Sequence, residues 1–169
     1  MPSTKIITNI LNAFATSNTG IVHFIYGKPI ISLLYYSKAK ALLSKACTGV
    51  EDKDLHLFSL NYGNHIESIT YNQALALLQS KPRESYQYFD SIRKSNQMSK
   101  NYKFWYRMAQ SILQYFHDPK TSQDQRKTLL QTALSALTNC LFCIDNSPIP
   151  PCSELKNLTK YHNIPEEDL

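Results

Sequence analysis

The sequence predicts an all-α protein, a solenoid of about three antiparallel helix pairs within residues 1–147. Apolar residues recur at spacings of three and four along most of the chain, which is the spacing of one helix face. A helix-turn-helix segment at residues 18–46 returns in degenerate form 53 residues later, and such internal self-similarity is typical of a solenoid. We expect residues 148–169 to form a Pro-rich and acidic C-terminal tail outside the solenoid.

The first helix pair is predicted from its turn. Gly27 can adopt the left-handed backbone conformation that ends a helix, and Pro29 fits the first turn of the next helix. Gly20 and Ser32 are small and would let two antiparallel helices approach closely. Residues 3–14 are predicted to form a short amphipathic helix of their own before this pair.

The second helix pair is predicted from positions that match the first at the 53-residue offset. The matched positions are Lys28 and Lys81, Pro29 and Pro82, Ser32 and Ser85, Tyr35 and Tyr88, and Tyr36 and Phe89. We expect its helices at residues 67–79 and 82–96. The offset exceeds the roughly 34 residues usual for a repeated helix pair, so a longer connection is predicted between the copies. Within it, residues 55–60 fit either a helical turn or an apolar segment lying along the solenoid.

The third helix pair is a weaker copy with clear periodicity. Its first helix, to about residue 116, has the apolar positions Trp105, Met108, Ala109 and Ile112. Its second helix, to about residue 144, has the small, large, small series Ala133, Leu137 and Cys140. Thr121 or Ser122 fits as the N-cap of that second helix.

A core is predicted from the positions that face inward in these three pairs. Its members are Phe24, Tyr36, Leu77, Phe89, Trp105, Ile112, Leu137 and Cys140. The tryptophan has an alternative interpretation, because the surrounding basic and aromatic residues could stack on nucleic-acid bases. The apolar stripe that Trp105 shares with Ile112 favours the core position.

The first pair resembles a tetratricopeptide repeat. That repeat has a glycine in its first helix, a glycine at the turn, then a small residue, an aromatic residue and an alanine in its second helix. The corresponding residues are Gly20, Gly27, Ser32, Tyr36 and Ala39. In such arrays one side of the first helix of each pair lines a concave groove.

The groove implied by this resemblance supplies candidate partner contacts in the third pair. These are Lys103, Tyr106, Gln110 and Gln114, which are spaced to line up along one helix face. A plain solvated face is the alternative interpretation.

The net charge of +5 comes entirely from residues 1–50, which contain five lysines and no acidic residue. Lys38 and Lys45 lie seven residues apart and therefore share a helix face. Such a basic patch could meet RNA phosphates or an acidic partner. The simpler interpretation is a solvated outer face, because five lysines over fifty residues make a thin patch.

The four cysteines are predicted to be free thiols. A zinc site of Cys140, Cys143, Cys152 and His162 is the alternative, but the first two fall in an apolar helical run, where small buried cysteines are ordinary. We therefore expect no metal and no cofactor.

Sequence motifs for catalysis and for membrane insertion are missing from the chain. It contains no glycine-rich phosphate loop, nucleophile elbow or metalloprotease histidine pair. Its apolar stretches fall short of the roughly 20 residues that span a bilayer. We expect a soluble, non-catalytic protein of the cytoplasm, with the nucleus as an open alternative.

An ordered set of residues across about 18–143 is similar to a more specific family, the tetratricopeptide subunit numbered ten of the carbon-catabolite-repression/NOT (CCR-NOT) mRNA deadenylase complex. The set comprises Asn18, Gly20, Ile21, His23, Phe24, Tyr35, Tyr36, Lys38 and Ala39, then Tyr71, Asn72, Lys81 and Pro82, then Phe104, Trp105, Arg107 and Ala109. Two features depart from the family: its chains are several times longer, and Gln73 stands where a helix glycine is expected. The resemblance implies a non-catalytic adaptor that binds a neighbouring subunit of that complex. The alternatives are a generic tetratricopeptide scaffold of another complex and a basic helical RNA-binding module.

Overall fold

The computed structural model describes residues 4–48 and 52–146, with side chains from residue 63 onward in the second range. These ranges contain six helices and no strand. The helices are α1 (Thr4–Ile25), α2 (Pro29–Cys47), α3 (Asp52–Leu77), α4 (Pro82–Ile92), α5 (Tyr102–Phe116) and α6 (Gln123–Asp145). They pack as the pairs α1 with α2, α3 with α4 and α5 with α6, and α2 and α4 each pack on the next pair. The predicted all-α, tetratricopeptide-like solenoid is confirmed, while the predicted tail lies outside the described residues.

One continuous α1 replaces the predicted separate helix at residues 3–14. Three threonine hydroxyls of α1 form hydrogen bonds within the helix itself. Thr8, Thr16 and Thr19 donate hydrogen bonds to the carbonyl oxygens of Thr4, Asn12 and Ala15, each one turn earlier in the helix. Such bonds by themselves slightly destabilise a helix, so we attribute the continuity of α1 to its packing on α2.

The turn between α1 and α2 is a Schellman motif built on Gly27. This glycine has a φ of 70°, a conformation that costs other residues free energy. The amide of Gly27 donates to the carbonyl of Phe24, and that of Lys28 donates to the carbonyl of His23. These are the two bonds that define the motif, and Pro29 then opens α2.

Gly20 brings α1 and α2 close together. A Cβ atom at this position would lie 2.7 Å from Cε1 of Tyr36 and 3.3 Å from the backbone oxygen of Ser32. Tyr36 and Ser32 are fully buried, so neither can move aside cheaply. The predicted close approach is confirmed, with the tyrosine ring filling the space that the missing side chain leaves.

The second pair starts as the first does but has different lengths. Lys81 precedes α4 as Lys28 precedes α2, with Pro at the first helical position and no side-chain cap in either case. The predicted long connection is instead helical, since α3 begins at Asp52 and includes residues 55–60. Helix α3 therefore begins well before the predicted residue 67. A glycine at position 63 costs a helix only about 1 kcal/mol, which packing can outweigh.

Helix α4 ends at Ile92, four residues before the predicted end. Ser95 accounts for the difference, because its side chain organises a non-helical turn. Its hydroxyl donates to the carboxylate of Glu67 on α3 and accepts from the amides of Gln97 and Met98. Met98 is buried in the core by this turn.

Two buried clusters hold the helices together. The first joins α1, α2 and α3 through Ala13, Tyr36, Ala39, Leu43, Ile69 and Ala76. The second is larger and spans α3 to α6, with Phe89, Phe104 and Trp105 among its members. Six of the predicted core residues are buried: Tyr36, Leu77, Phe89, Trp105, Ile112 and Cys140.

The predicted burial of Phe24 and Leu137 is wrong, because both are 37% exposed. Phe24 lies in the last turn of α1, where Ile21 packs on the core instead. On α6 the small Ala136 takes the inward position, and Leu137 is rotated by about 100° from it.

Candidate interaction surfaces

The predicted groove residues lie on one exposed side of α5. Lys103, Tyr106 and Gln114 are exposed, and Gln110 is half-buried. Asn101 sets the start of this helix by accepting a hydrogen bond from the amide of Lys103. Their role as partner contacts stays a prediction.

Arg107 links two of these residues and was absent from the predicted set. Its Nη1 donates to Oε1 of Gln110 at 2.9 Å, and Nε2 of Gln110 donates to the hydroxyl of Tyr106 at 3.2 Å. The guanidinium also lies 5.7 Å from the centre of the Tyr106 ring. The three side chains form a connected polar cluster, which we call the α5 cluster. The sequence does show the positively charged Arg107, which directly follows Tyr106.

The α5 cluster reaches toward the preceding helix pair. Burial raises the pKa of Tyr71 on α3, and the nearby positive charge of Arg107 opposes that rise. The ring of Tyr71 also packs near Phe89 and Phe104, at centroid distances of 5.8 and 6.3 Å. The cluster therefore presents an exposed cation and phenol beside the joint between two helix pairs, a set suited to carboxylate and carbonyl groups.

Trp105 is unavailable for base stacking. The residue is buried, and its Nε1 donates to the carbonyl oxygen of Ser99 at 2.9 Å. The stacking alternative is therefore wrong, and the core interpretation is confirmed.

The lysines of α2 divide into two environments. Lys38 and Lys45 are exposed, as the predicted basic patch requires. Lys40 instead is half-buried, with its Nζ 5.5 Å from the ring centre of Tyr88. Burial lowers the pKa of its ammonium group. Lys40 therefore contributes less to any phosphate-binding surface than the other two.

An apolar surface missed by the sequence interpretation adjoins this basic patch. Ile30 and Leu34 are exposed on α2, at 74% and 68%. They precede Lys38 by eight and four residues and so share its helix face. We call this face, with exposed Ala41 and Lys45 further along, the α2 ridge. Its four-residue spacing was visible in the sequence, but the spacing alone does not show which face stays uncovered.

The turn before α2 extends the apolar surface. Ile25 and Tyr26 are 74% and 76% exposed, beside the Gly27 turn. An uncovered group of large apolar side chains is a common mark of an interaction site.

A second apolar face lies on α6. Leu130, Leu134, Leu137 and Leu141 are all exposed and follow one another at spacings of four, three and four. That spacing places them on a single helix face, which we call the leucine stripe. Among the described helices, α6 packs on α5, and the stripe flanks that contact.

The cysteines of α6 face inward. Cys140 and Cys143 are buried, and burial raises the pKa of each thiol. Cys143 also donates to the carbonyl oxygen of Ser99. No group of three or more potential metal ligands occurs in the described part of the chain. Cys152 and His162 of the zinc alternative lie outside it.

Comparison of the chain with protein-family models, curated proteins and solved structures gives no match. Within the described residues, no helix is both long and apolar enough to cross a bilayer.

Proposed function

We propose that this protein is a non-catalytic adaptor that binds another protein through the α2 ridge and the adjoining turn. The observation that carries the proposal is the exposure of Ile25, Tyr26, Ile30 and Leu34 at one end of the first helix pair. Leaving such side chains in water is unfavourable, and a partner that covers them would recover about 25 cal/mol for each Å² of apolar surface. Apolar anchors of this kind dominate the energetics of protein interfaces.

The charge around these anchors indicates the chemistry of the partner. Lys28 lies in the turn, and Lys38 and Lys45 continue the ridge, with no acidic residue anywhere in residues 1–50. An apolar segment flanked by Asp or Glu would match both the anchors and the lysines. Charge complementarity of this sort speeds association and selects the partner more than it adds affinity.

The assignment to a particular machinery follows from the family resemblance. We propose a subunit of the CCR-NOT deadenylase complex that acts in mRNA turnover and translational repression. Its support is the ordered residue set given above. Several members of that set are buried, including Gly20, Tyr36, Phe104, Trp105 and Ala109. These residues support the helix-pair packing, whereas the partner surface depends on the exposed positions.

The α5 cluster is a second candidate surface of the same adaptor. Tyr106 is 44% exposed and has a guanidinium beside it, so it could anchor a partner strand or helix at its polar edge. A partner of the α2 ridge and a partner of this cluster would approach different helix pairs.

Affinity purification of the full chain, followed by mass spectrometry, tests the proposal. Ile30→Asp with Leu34→Asp should abolish recovery of the main partner, because two carboxylates would replace its apolar anchors. Tyr106→Ala with Gln110→Ala tests the α5 cluster in parallel. A matched control is Ile7→Asp with Leu11→Asp, which places the same charges four residues apart on the exposed side of α1.

The outcomes separate the parts of the proposal. Deadenylase subunits recovered by the wild type and lost in the α2 variant support both the adaptor function and the assignment. Chaperones or motor proteins recovered instead would refute the assignment to mRNA decay. A set of captured proteins that neither the α2 variant nor the α5 variant alters would refute the adaptor surfaces themselves.

A further inference from the structure

We infer that the leucine stripe on α6 is the docking face for the chain's own residues 153–168, which would lie antiparallel to α6. The stripe is a described, uncovered apolar face, and Leu134 within it is 67% exposed. It lies on α6, the last helix of the described residues, and no other described helix pair packs beyond α6. Terminal faces of solenoids need such a cover for solubility.

The sequence that follows α6 has a complementary apolar pattern. Leu155, Leu158 and Tyr161 recur every third residue, which would place them on one side of a short helix. Pro148, Pro150 and Pro151 precede them and predict a break in helical structure after α6. A break at this point allows the chain to reverse direction.

The lengths fit such a reversal. Leu141 lies five residues before Asn146, or about 8 Å along α6, and packed helices lie about 8 to 10 Å apart. The nine residues from Asn146 to Leu155 can span about 30 Å. Leu155 can therefore reach Leu141 with chain to spare.

Charged residues indicate the direction in which residues 155–168 run along α6. Lys127 is exposed near the N-terminal end of the stripe, about 21 Å from Leu141 along the helix. Residues 155–168 would cover about 20 Å as a helix and more if partly extended. An antiparallel segment therefore brings the acidic run Glu166, Glu167 and Asp168 beside Lys127. Asp124 lies one turn beyond the lysine and limits this attraction, so the leucines supply most of the stabilisation.

Covalent attachment favours this occupant over a second copy of the chain. A segment joined by a short connection has an effective concentration in the millimolar range. A second molecule at micromolar concentration would have to bind the stripe about a thousandfold more tightly to compete. The inference concerns α6 and does not depend on the partner proposed for the α2 ridge.

Hydrogen–deuterium exchange on the full chain tests the inference. Amides of residues 153–163 should exchange at least tenfold more slowly than expected for an unstructured peptide. Leu134→Ser with Leu141→Ser should remove that protection while the slow exchange of amides in α5 stays unchanged. The matched control is Leu11→Ser with Leu34→Ser, two leucines of similar exposure on the first helix pair, and it should leave the protection intact.

A charge exchange checks the register. Lys127→Glu should reduce the protection severalfold, and adding Glu166→Lys with Glu167→Lys should restore it. Exchange of residues 153–163 at the unstructured rate in the wild type would overturn the inference. Protection that disappears on dilution, together with twice the chain mass in light scattering, would also overturn it by making a second copy the occupant.

Discussion

In the first helix pair, α1 and α2 approach closely because Gly20 has no side chain, whereas the third pair buries large side chains, among them Trp105 and Met108. The ring of Tyr36 occupies the position above Gly20. Trp105 and Met108 are buried in the larger cluster, which also contains small residues of α6 such as Ala133. The same architecture is thus reached by a missing side chain in one pair and by bulky ones in the other.

Polar contacts also hold the third pair in place. The carbonyl of Ser99 accepts hydrogen bonds from Trp105 on α5 and Cys143 on α6. Ser122 opens α6 with a capping box, while Lys28 opens α2 with no side-chain hydrogen bond. Enlarging a side chain should therefore destabilise the protein most in the first pair, and truncating a side chain should destabilise it most in the third pair.

Removing volume from the third pair should have the largest effect. Trp105→Ala should lower the free energy of unfolding by about 3 to 5 kcal/mol, because it leaves a cavity and removes the donor to Ser99. Urea unfolding followed by circular dichroism measures the change. The neighbouring exposed change Tyr106→Ala should cost about 0.5 kcal/mol or less. Equal losses for the two variants would contradict the buried position of the tryptophan.

Adding volume to the first pair should have the next largest effect. Gly20→Ala forces a methyl group against Tyr36, while Gly63→Ala adds the same methyl where no atom lies within 4 Å. Both changes gain about 1 kcal/mol of helix propensity, and the clash should cost Gly20→Ala about 1 to 3 kcal/mol more. The difference between their unfolding free energies isolates the close approach. A difference near zero would mean that the first pair can separate freely.

Alkaline pH should weaken the first pair through Tyr36. Burial raises the pKa of this phenol above its ordinary value of 10.0. The folded state therefore holds the phenol proton more tightly than the unfolded state does. The contribution of Tyr36 to the free energy of unfolding is complete below about pH 10 and is lost as the pH rises further. Tyr36→Phe should gain stability relative to the wild type between about pH 9 and about pH 11. If the unfolding free energies of the wild type and of Tyr36→Phe changed equally over that range, the raised pKa of Tyr36 would be contradicted.

The smallest expected effect concerns RNA. The exposed lysines Lys38 and Lys45 on the first pair should bind a poly(A) oligonucleotide weakly and lose it as salt increases, as non-specific phosphate contacts do. Fluorescence anisotropy at two salt concentrations measures this. Tight binding at physiological salt that Lys38→Glu with Lys45→Glu removes would instead favour an RNA-binding module.

The repeated features of the fold could be predicted from the sequence because they are local. Gly27 and the two Lys-Pro steps determine helix ends through backbone geometry. The continuity of α1 and α3 could not be predicted in this way. Serine, threonine, asparagine and glycine suit both turns and helix interiors, and packing in three dimensions decides between them.

The candidate surfaces were predictable only in part. Periodicity showed that Tyr106 and Gln110 share a face, and both lie on the exposed side of α5. It could not show that no other described helix covers Leu137, because an apolar spacing looks the same whether or not another helix packs on it. Which helix faces are covered depends on how the helices pack, which is a property of the whole fold.

Helix α3 belongs to both buried clusters, with consequences for how the array unfolds. Its Ile69 and Ala76 pack in the first cluster, while Ala74 packs in the second, joined by Tyr71 at its edge. Repeat arrays unfold in independent segments when the coupling between neighbours is weak. Here neither cluster can melt without removing one wall of the other, since both share the same helix. The six helices should therefore unfold as one cooperative unit, and slow amide exchange should extend from α2 through α3 into α5.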